Sequence, residues 1–174
     1  MKKIFFLTSL LIVIIISIVL LTFFIQNKNS TEPSGFFLNK ILPEFEIINL
    51  FNENDKLSSN DVSEKQIIIN FFASWCDPCI KEHHLLLSLK QNHPKLMIIG
   101  INHKDIYSNA VNFLESKGNP YHYVGVDVDG NIGLKFGVFG LPETFSTNNK
   151  GKIIYKHTGP LTKKIVKKEI LPLL

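Results

Sequence analysis

The sequence predicts an α/β domain, a mixed β-sheet flanked by helices, preceded by one N-terminal transmembrane helix. Three observations lead there. An uncharged apolar run fills 4–25, two buried-strand patterns bracket a helical one between 67 and 101, and a hairpin signal lies between 143 and 157.

The first 25 residues read as a membrane anchor. The run at 4–25 (IFFLTSLLIVIIISIVLLTFFI) is interrupted only by Ser and Thr. A helix rises about 1.5 Å per residue, so the run is long enough to cross a hydrocarbon core of about 30 Å. A cleaved secretory signal would have a shorter apolar region, about 7–15 residues, and small residues after it. Here QNKNSTEPSG follows, without an A-x-A pattern, and no cysteine sits there to be lipidated. Lys2 and Lys3 on one side against Lys28 on the other favour an internal N-terminus and an exported domain. Residues 26–35, polar and containing Pro33 and Gly35, form a tether, and 36–174 form the domain.

Charge excludes one class of partner. The chain carries 19 Lys+Arg against 15 Asp+Glu, and setting aside Lys2, Lys3 and Lys28 leaves 16 against 15. The exported part is nearly neutral, so no nucleic-acid footprint is expected. Lys156, Lys163, Lys164, Lys167 and Lys168 read as the solvated face of a terminal helix.

Within the domain, 67–73 (IIINFFA) is a buried strand. A helix over 79–91 presents an apolar stripe through Ile80, Leu86 and Leu87 and stops at His93-Pro94. A second buried strand occupies 96–101. Ser108 caps a short helix holding Val111, Phe113 and Leu114, which Gly118-Asn119-Pro120 breaks. A strand at 123–126, a turn at Asp129-Gly130-Asn131, a hairpin pairing 143–146 with 152–157, and a helix over 162–171 complete the chain.

Chemistry concentrates at Trp75-Cys76-Asp77-Pro78-Cys79, at a strand-to-helix junction. The chain has only two cysteines. A domain of about 140 residues needs no disulfide scaffold, and a bridge across so short a loop restrains the unfolded chain little, so the pair is expected to react. Free N–H groups and the dipole at a helix N-terminus stabilise Cys76 as a thiolate. Cys79, within the first turn, would be the more shielded. Cys76 therefore attacks a substrate disulfide and Cys79 resolves the mixed disulfide. Pro78 fits the first turn, where its missing N–H costs nothing. Asp77 partly opposes the dipole. A structural zinc needs four ligands, and no second C-x-x-C exists; His83 and His84 are the nearest nitrogen donors.

A strand, W-C-x-x-C and a helix resemble the thioredoxin superfamily, and further residues narrow the likeness to the DsbE/CcmG family of cytochrome c maturation reductases. These are Ala73 to Cys79 with Glu82-His83, then Gly118-Asn119-Pro120-Tyr121, Asp127-Val128-Asp129-Gly130 and Gly137-Val138-Phe139-Gly140-Leu141-Pro142-Glu143-Thr144-Phe145. Gly151-Lys152-Ile153 and Tyr155-Lys156-His157 complete the set. The resemblance implies a thioredoxin-like fold and makes Pro142 a cis-proline facing the cysteines and bordering the substrate groove. It implies that Glu82 and Glu143 are acidic residues near the active site, with Glu82 able to exchange a proton with Cys79. Two departures stand out. Asn70 occupies the position where thioredoxins carry a buried aspartate, so a proton acceptor must come from elsewhere. Leu141, before the proline, is bulkier than is common in related proteins.

The resemblance further implies a bacterial inner-membrane, periplasm-facing reductant. A membrane dithiol donor would supply its electrons. Its target would be the C-x-x-C-H segment of apocytochrome c, or a thiol protein serving it. No cofactor is required, because the disulfide stores the two electrons. Two other readings stay open: a disulfide oxidase or isomerase of exported proteins, and a copper metallochaperone using both cysteines and a histidine.

Overall fold

The computed structural model describes residues 2–27 and 38–174. The chain divides into two units, Met1–Gly35 and Phe36–Leu174. In the first, helix α1 spans Lys2–Asn27. Its side chains are described at 8 and at 10–22, and each is exposed. Among the described residues no helix is long and apolar enough to cross a membrane. The expected tether lies largely outside the described residues.

The second unit is built on one seven-stranded sheet. Strands β1 (Glu46–Asn49), β2 (Asn52–Ser58), β3 (Ile67–Phe72), β4 (Met97–His103), β5 (Tyr123–Asp127), β6 (Glu143–Thr147) and β7 (Ile153–Thr158) are arranged in the order β2-β1-β5-β4-β3-β6-β7. The β3–β4 and β4–β5 pairs are parallel; all others are antiparallel. Parallel neighbours need crossovers. Helices α2 (Asp77–Asn92) and α3 (Tyr107–Lys117) provide them, and both pack on the same sheet face. Two steps in one direction with both helices on one face require crossovers of the same hand.

Two apolar layers sandwich the sheet. Ile68, Phe72 and Ile98 face α2, α3 and the C-terminal segment through Leu86, Phe113, Leu114 and Ile170. Ile67, Ile69, Phe71, Ile99 and Ile101 face the other way, against Phe45, Phe136, Phe145 and Val62. Every side chain of β3 is buried. That is the continuous apolar pattern of a strand covered on both faces.

Several elements differ from expectation, each for a local reason. The β1–β2 hairpin is absent from the sequence reading: β2 is an edge strand of sequence NENDKLS, mostly exposed, with no apolar alternation to mark it. Helix α2 begins two residues early, because Cys76 rather than a later residue is its N-cap. Its buried stripe is Cys79, Glu82, His83, Leu86 and Leu89, leaving Ile80 exposed. Ser108 lies inside α3, whose N-cap is Ile106 without a side-chain cap. Gly130, at φ +75°, opens a further short helix, α4 (Asn131–Lys135), where only a turn was expected. The closing helix is three different turns. Thr162 caps α5 (Lys163–Ile165), a π turn spans Val166–Ile170, and a 3-10 turn spans Leu171–Leu173 around Pro172. Lys156 is on β7 and buried, so it does not belong to the solvated lysine face.

Candidate active site

β3 delivers the chain to the site. After Phe72 the backbone leaves the sheet and turns, with the Cys76 N–H donating to the Ala73 carbonyl at 3.2 Å. Cys76 adopts extended geometry as the N-cap of α2, and its Sγ accepts the Cys79 N–H at 3.2 Å. A helix N-cap normally uses an oxygen for this purpose. Here sulfur takes the place, so a free Cys76 thiolate would meet both that N–H and the positive helix end. Asp77 and Pro78 fill the first two helical positions.

Cys76 and Cys79 are joined as a disulfide, with Cα atoms 5.3 Å apart. Both are buried, at 4% and 3% exposure. The expected difference in access is therefore not a difference of surface in the oxidised pair. What separates the two sulfurs is position: Cys76 Sγ receives the helix amide, whereas Cys79 lies one turn inward.

Trp75 beside them is 60% exposed, with its Nε1–H donating to the Lys104 carbonyl at 3.1 Å. Next to it, the Ser74 N–H and Oγ–H donate to the Asp105 carboxylate at 2.6 and 2.8 Å. Asp105 also accepts from Asn102 Nδ2 and the Ile106 N–H. The segment after β4 thus braces the entry to the cysteine loop. Sequence reasoning missed Asp105 because no motif surrounds it. Only the parallel β3–β4 register, which pairs Phe72 with Asn102, lets the two loops leave the sheet side by side.

The Leu141–Pro142 peptide bond is cis, and Pro142 is buried. Glu143 pairs with Phe71 across β3–β6, so Pro142 sits beside the end of β3 from which the cysteine loop emerges. Leu141 packs against both apolar layers, and the Pro142 carbonyl accepts the Gly159 N–H at 2.9 Å.

Glu82 is buried on the cysteine face of the sheet. Its Oε1 accepts from Asn70 Nδ2 at 2.9 Å and its Oε2 from the Leu161 N–H at 2.5 Å. Burial pushes its protonation midpoint up to about 7, against the opposing pull of the Leu161 and Asn70 hydrogen bonds. Asn70 also donates to Thr144 Oγ1 at 3.0 Å and accepts from the Tyr121 hydroxyl at 2.8 Å. Burial, then the nearby Glu82 carboxylate, hold the Tyr121 phenol well above its usual range, so it stays protonated.

Glu143 is elsewhere. Its β3 partner Phe71 belongs to the opposite apolar layer, so its carboxylate is across the sheet from Glu82 and the cysteines. There it forms a buried ion pair with Lys156 Nζ at 2.9 Å, and its Oε1 accepts the Phe139 N–H at 3.2 Å. Lys156 Nζ donates in turn to the Gly137 carbonyl at 2.9 Å. The pair holds the loop that ends in the cis-proline, on the sheet face opposite the one that carries the cysteines. The site therefore brings Cys76, Cys79 and Glu82 together on one face, with Pro142 at the same end of the sheet, and sets Glu143 behind it.

Among the described residues no three His, Cys, Asp or Glu side chains group as metal ligands. His83 is buried, its Nε2 against the Gly118 carbonyl at 2.8 Å and its ring edge-on to Phe113. Burial lowers its pKa, favouring the neutral ring.

Comparison with known proteins places the chain in a family and its fold in a class. The redoxin family signature matches residues 38–171. The chain is 34% identical over 176 residues to the thiol:disulfide interchange protein DsbE of Tatumella citrea, covering 99% of this chain and 94% of that one. It is 32% identical over 177 residues to DsbE of Escherichia coli K12, covering 99% and 95%. With the thiol:disulfide interchange protein HelX of Rhodobacter capsulatus it shares 44% identity over 107 residues, 62% of this chain and 60% of that one. The thioredoxin domain of a thiol-disulfide oxidoreductase from Bacteroides vulgatus superposes with a TM-score of 0.67 at 18% identity, covering 79% of this chain and 98% of that one. A secreted Mycobacterium tuberculosis disulfide oxidoreductase gives 0.66 at 17% identity, covering 74% and 96%. The fold is thus thioredoxin-like, and the chain belongs to the redoxin family as a thiol:disulfide oxidoreductase of the DsbE kind, with a C-x-x-C disulfide at Cys76–Cys79.

Proposed function

We propose that this oxidoreductase works as a dedicated reductant in cytochrome c maturation, anchored by residues 1–25, tethered by 26–35 and facing the periplasm through 36–174. The apolar run at 4–25 and the lysines at 2 and 3 support the anchor and its direction. The observation that carries thiol:disulfide exchange is Cys76 Sγ at the N-cap of α2, with the buried Glu82 carboxylate further along the same helix; the reductant direction rests on the resemblance to the DsbE/CcmG reductases.

In the reduced protein the Cys76 thiolate attacks one sulfur of the target disulfide. A Cys76–target S–S bond forms, the target bond breaks, and the other target sulfur leaves as a thiolate. Cys79 then attacks Cys76 Sγ. Its proton passes to Glu82, the mixed disulfide breaks, and the second target sulfur leaves. Two electrons have moved to the target, and the Cys76–Cys79 disulfide is closed. A membrane dithiol donor reopens it by the same exchange in reverse. Pro142 borders the groove where the target chain lies, and Glu143 with Lys156 positions the loop carrying it. The target is the C-x-x-C-H segment of apocytochrome c, or a thiol protein that serves it, because haem attachment needs free thiols in an oxidising compartment.

Titration of the pair against glutathione or dithiothreitol tests the direction. A potential nearer thioredoxin (about −270 mV) than DsbA (about −120 mV) is expected; a value at the oxidising end would overturn the reductant reading. Cys79→Ala should accumulate a mixed disulfide with an oxidised C-x-x-C-H peptide, and Cys76→Ser should form none.

A further inference from the structure

We propose that Tyr121 is a positioning residue for Glu82, acting through the side chain of Asn70; the inference rests on Glu82 receiving the Cys79 proton. Asn70 is fully buried, and both N–H groups and the carbonyl oxygen of its amide are engaged. One N–H goes to Glu82 Oε1 at 2.9 Å, the other to Thr144 Oγ1 at 3.0 Å, and its carbonyl oxygen takes the Tyr121 hydroxyl at 2.8 Å. An asparagine can rotate by half a turn and exchange its oxygen and nitrogen at little steric cost. Reversed here, it would set a carbonyl oxygen against the Glu82 carboxylate and its NH₂ against the Tyr121 hydroxyl. Two partners therefore select the observed orientation: the acceptor-only carboxylate needs the N–H, and the buried hydroxyl proton needs the carbonyl oxygen. By binding the carbonyl oxygen the hydroxyl also polarises the amide, strengthening the N–H bond to the carboxylate.

Tyr121 itself is held firmly. Its ring stacks on Phe72 with centroids 4.9 Å apart, and Lys90 Nζ donates to its backbone carbonyl at 2.7 Å. It packs so closely on β4 that a Cβ built on Gly100 would lie 2.6 Å from its Cδ2. The hydroxyl is thus aimed by a rigid ring.

The groups around Glu82 make this clamp decisive for its charge. α2 contributes Cys79 one turn away, and the segment before β5 contributes the neutral phenol of Tyr121. β3 and β6 contribute only the neutral Asn70 and Thr144, and the turn at Leu161 contributes an amide. No cation pairs with the carboxylate among these neighbours, so directed N–H donors alone oppose the effect of burial on it.

The test uses the reduced full-length chain and Ellman's disulfide. Cys76 attacks the reagent and releases one thionitrobenzoate; Cys79 attack on the Cys76 adduct releases the second. The rate of the second release is followed from pH 5 to 9. In the wild type it rises with a midpoint near that of Glu82, and in Glu82→Gln that limb is lost. Tyr121→Phe keeps the ring and removes only the hydroxyl. It should move the midpoint up by about half a pH unit, slowing the acid side about threefold. Asn70→Ala should shift it the same way, and adding Tyr121→Phe to Asn70→Ala should move it no further. A Tyr121→Phe protein with the wild-type midpoint, or shifts that add in the double variant, would overturn the inference while leaving Glu82 as acceptor. A wild-type limb surviving in Glu82→Gln would overturn both readings together.

Discussion

Withdrawing the Glu82 carboxylate from water raises its protonation midpoint from 4.5 to about 7, and that shift is also a statement about stability. In the folded chain Glu82 holds its proton more tightly than in the unfolded chain. Its contribution is thus fully present below pH 4.5 and is lost as pH rises through 7. Over that window the loss is of the order of 3 kcal/mol. Glu82→Gln should flatten the pH slope of stability between 4.5 and 7, read from urea unfolding at several pH values; an unchanged slope would mean the carboxylate is solvated. Asp127 shows the opposite arrangement. Burial alone would raise its pKa, but the His103 hydrogen bond at 2.7 Å and the Gly133 and Ile132 amides more than offset this, leaving it lowered. A Cβ on Gly133 would lie 2.5 Å from His103 Cε1. Gly133→Ala should therefore separate His103 from Asp127 and cost about 1–3 kcal/mol, measured by chemical denaturation.

Between elements, the decisive contact is the Glu143–Lys156 ion pair across β6 and β7, whose two side chains are almost wholly out of water. A buried pair of this kind is weak as a net source of stability but costly to break on one side. Lys156→Met leaves an unpaired carboxylate and should destabilise the domain by about 3–5 kcal/mol, whereas Lys156→Met with Glu143→Leu should recover most of that. Because Lys156 also holds the Gly137 carbonyl and Glu143 the Phe139 N–H, the double variant should fold yet bind its target disulfide less well. Steady-state reduction of a C-x-x-C-H peptide reads this as a raised KM. Equal KM in the double variant would show that the loop needs no such brace.

At the scale of the molecule, the two units have different solvents in prospect. The unit at 36–174 holds both apolar layers and the whole candidate site. Expressed alone, it should unfold in urea at the midpoint of the domain in the full chain and keep its redox couple. The proposed anchor is tested separately: the full chain should float with phospholipid vesicles in a density gradient, and 36–174 should not. Flotation of both, or of neither, would count against residues 1–25 as the membrane attachment.

Local chemistry was written plainly in the sequence. The apolar run of β3, the cysteine motif behind it and Pro142 before β6 could be ordered along the chain without coordinates, since each depends on residues adjacent to it. Asn70 could be noticed as a departure. Tertiary pairing decided the rest. Which face a strand residue takes depends on the register with its neighbour, and that register set Glu143 behind the sheet with Lys156 while aligning Thr144 with Asn70. The role of Asp105 exists only because β3 and β4, distant in sequence, pair side by side, and the polar strand β2 is held at the sheet edge by β1, which itself pairs with the distant β5. Sequence by itself determined where the sulfur chemistry is, because a motif of four residues carries it; which carboxylate serves that chemistry is a matter of burial and partners, and those come from segments as far apart as Asn70, Tyr121 and Leu161.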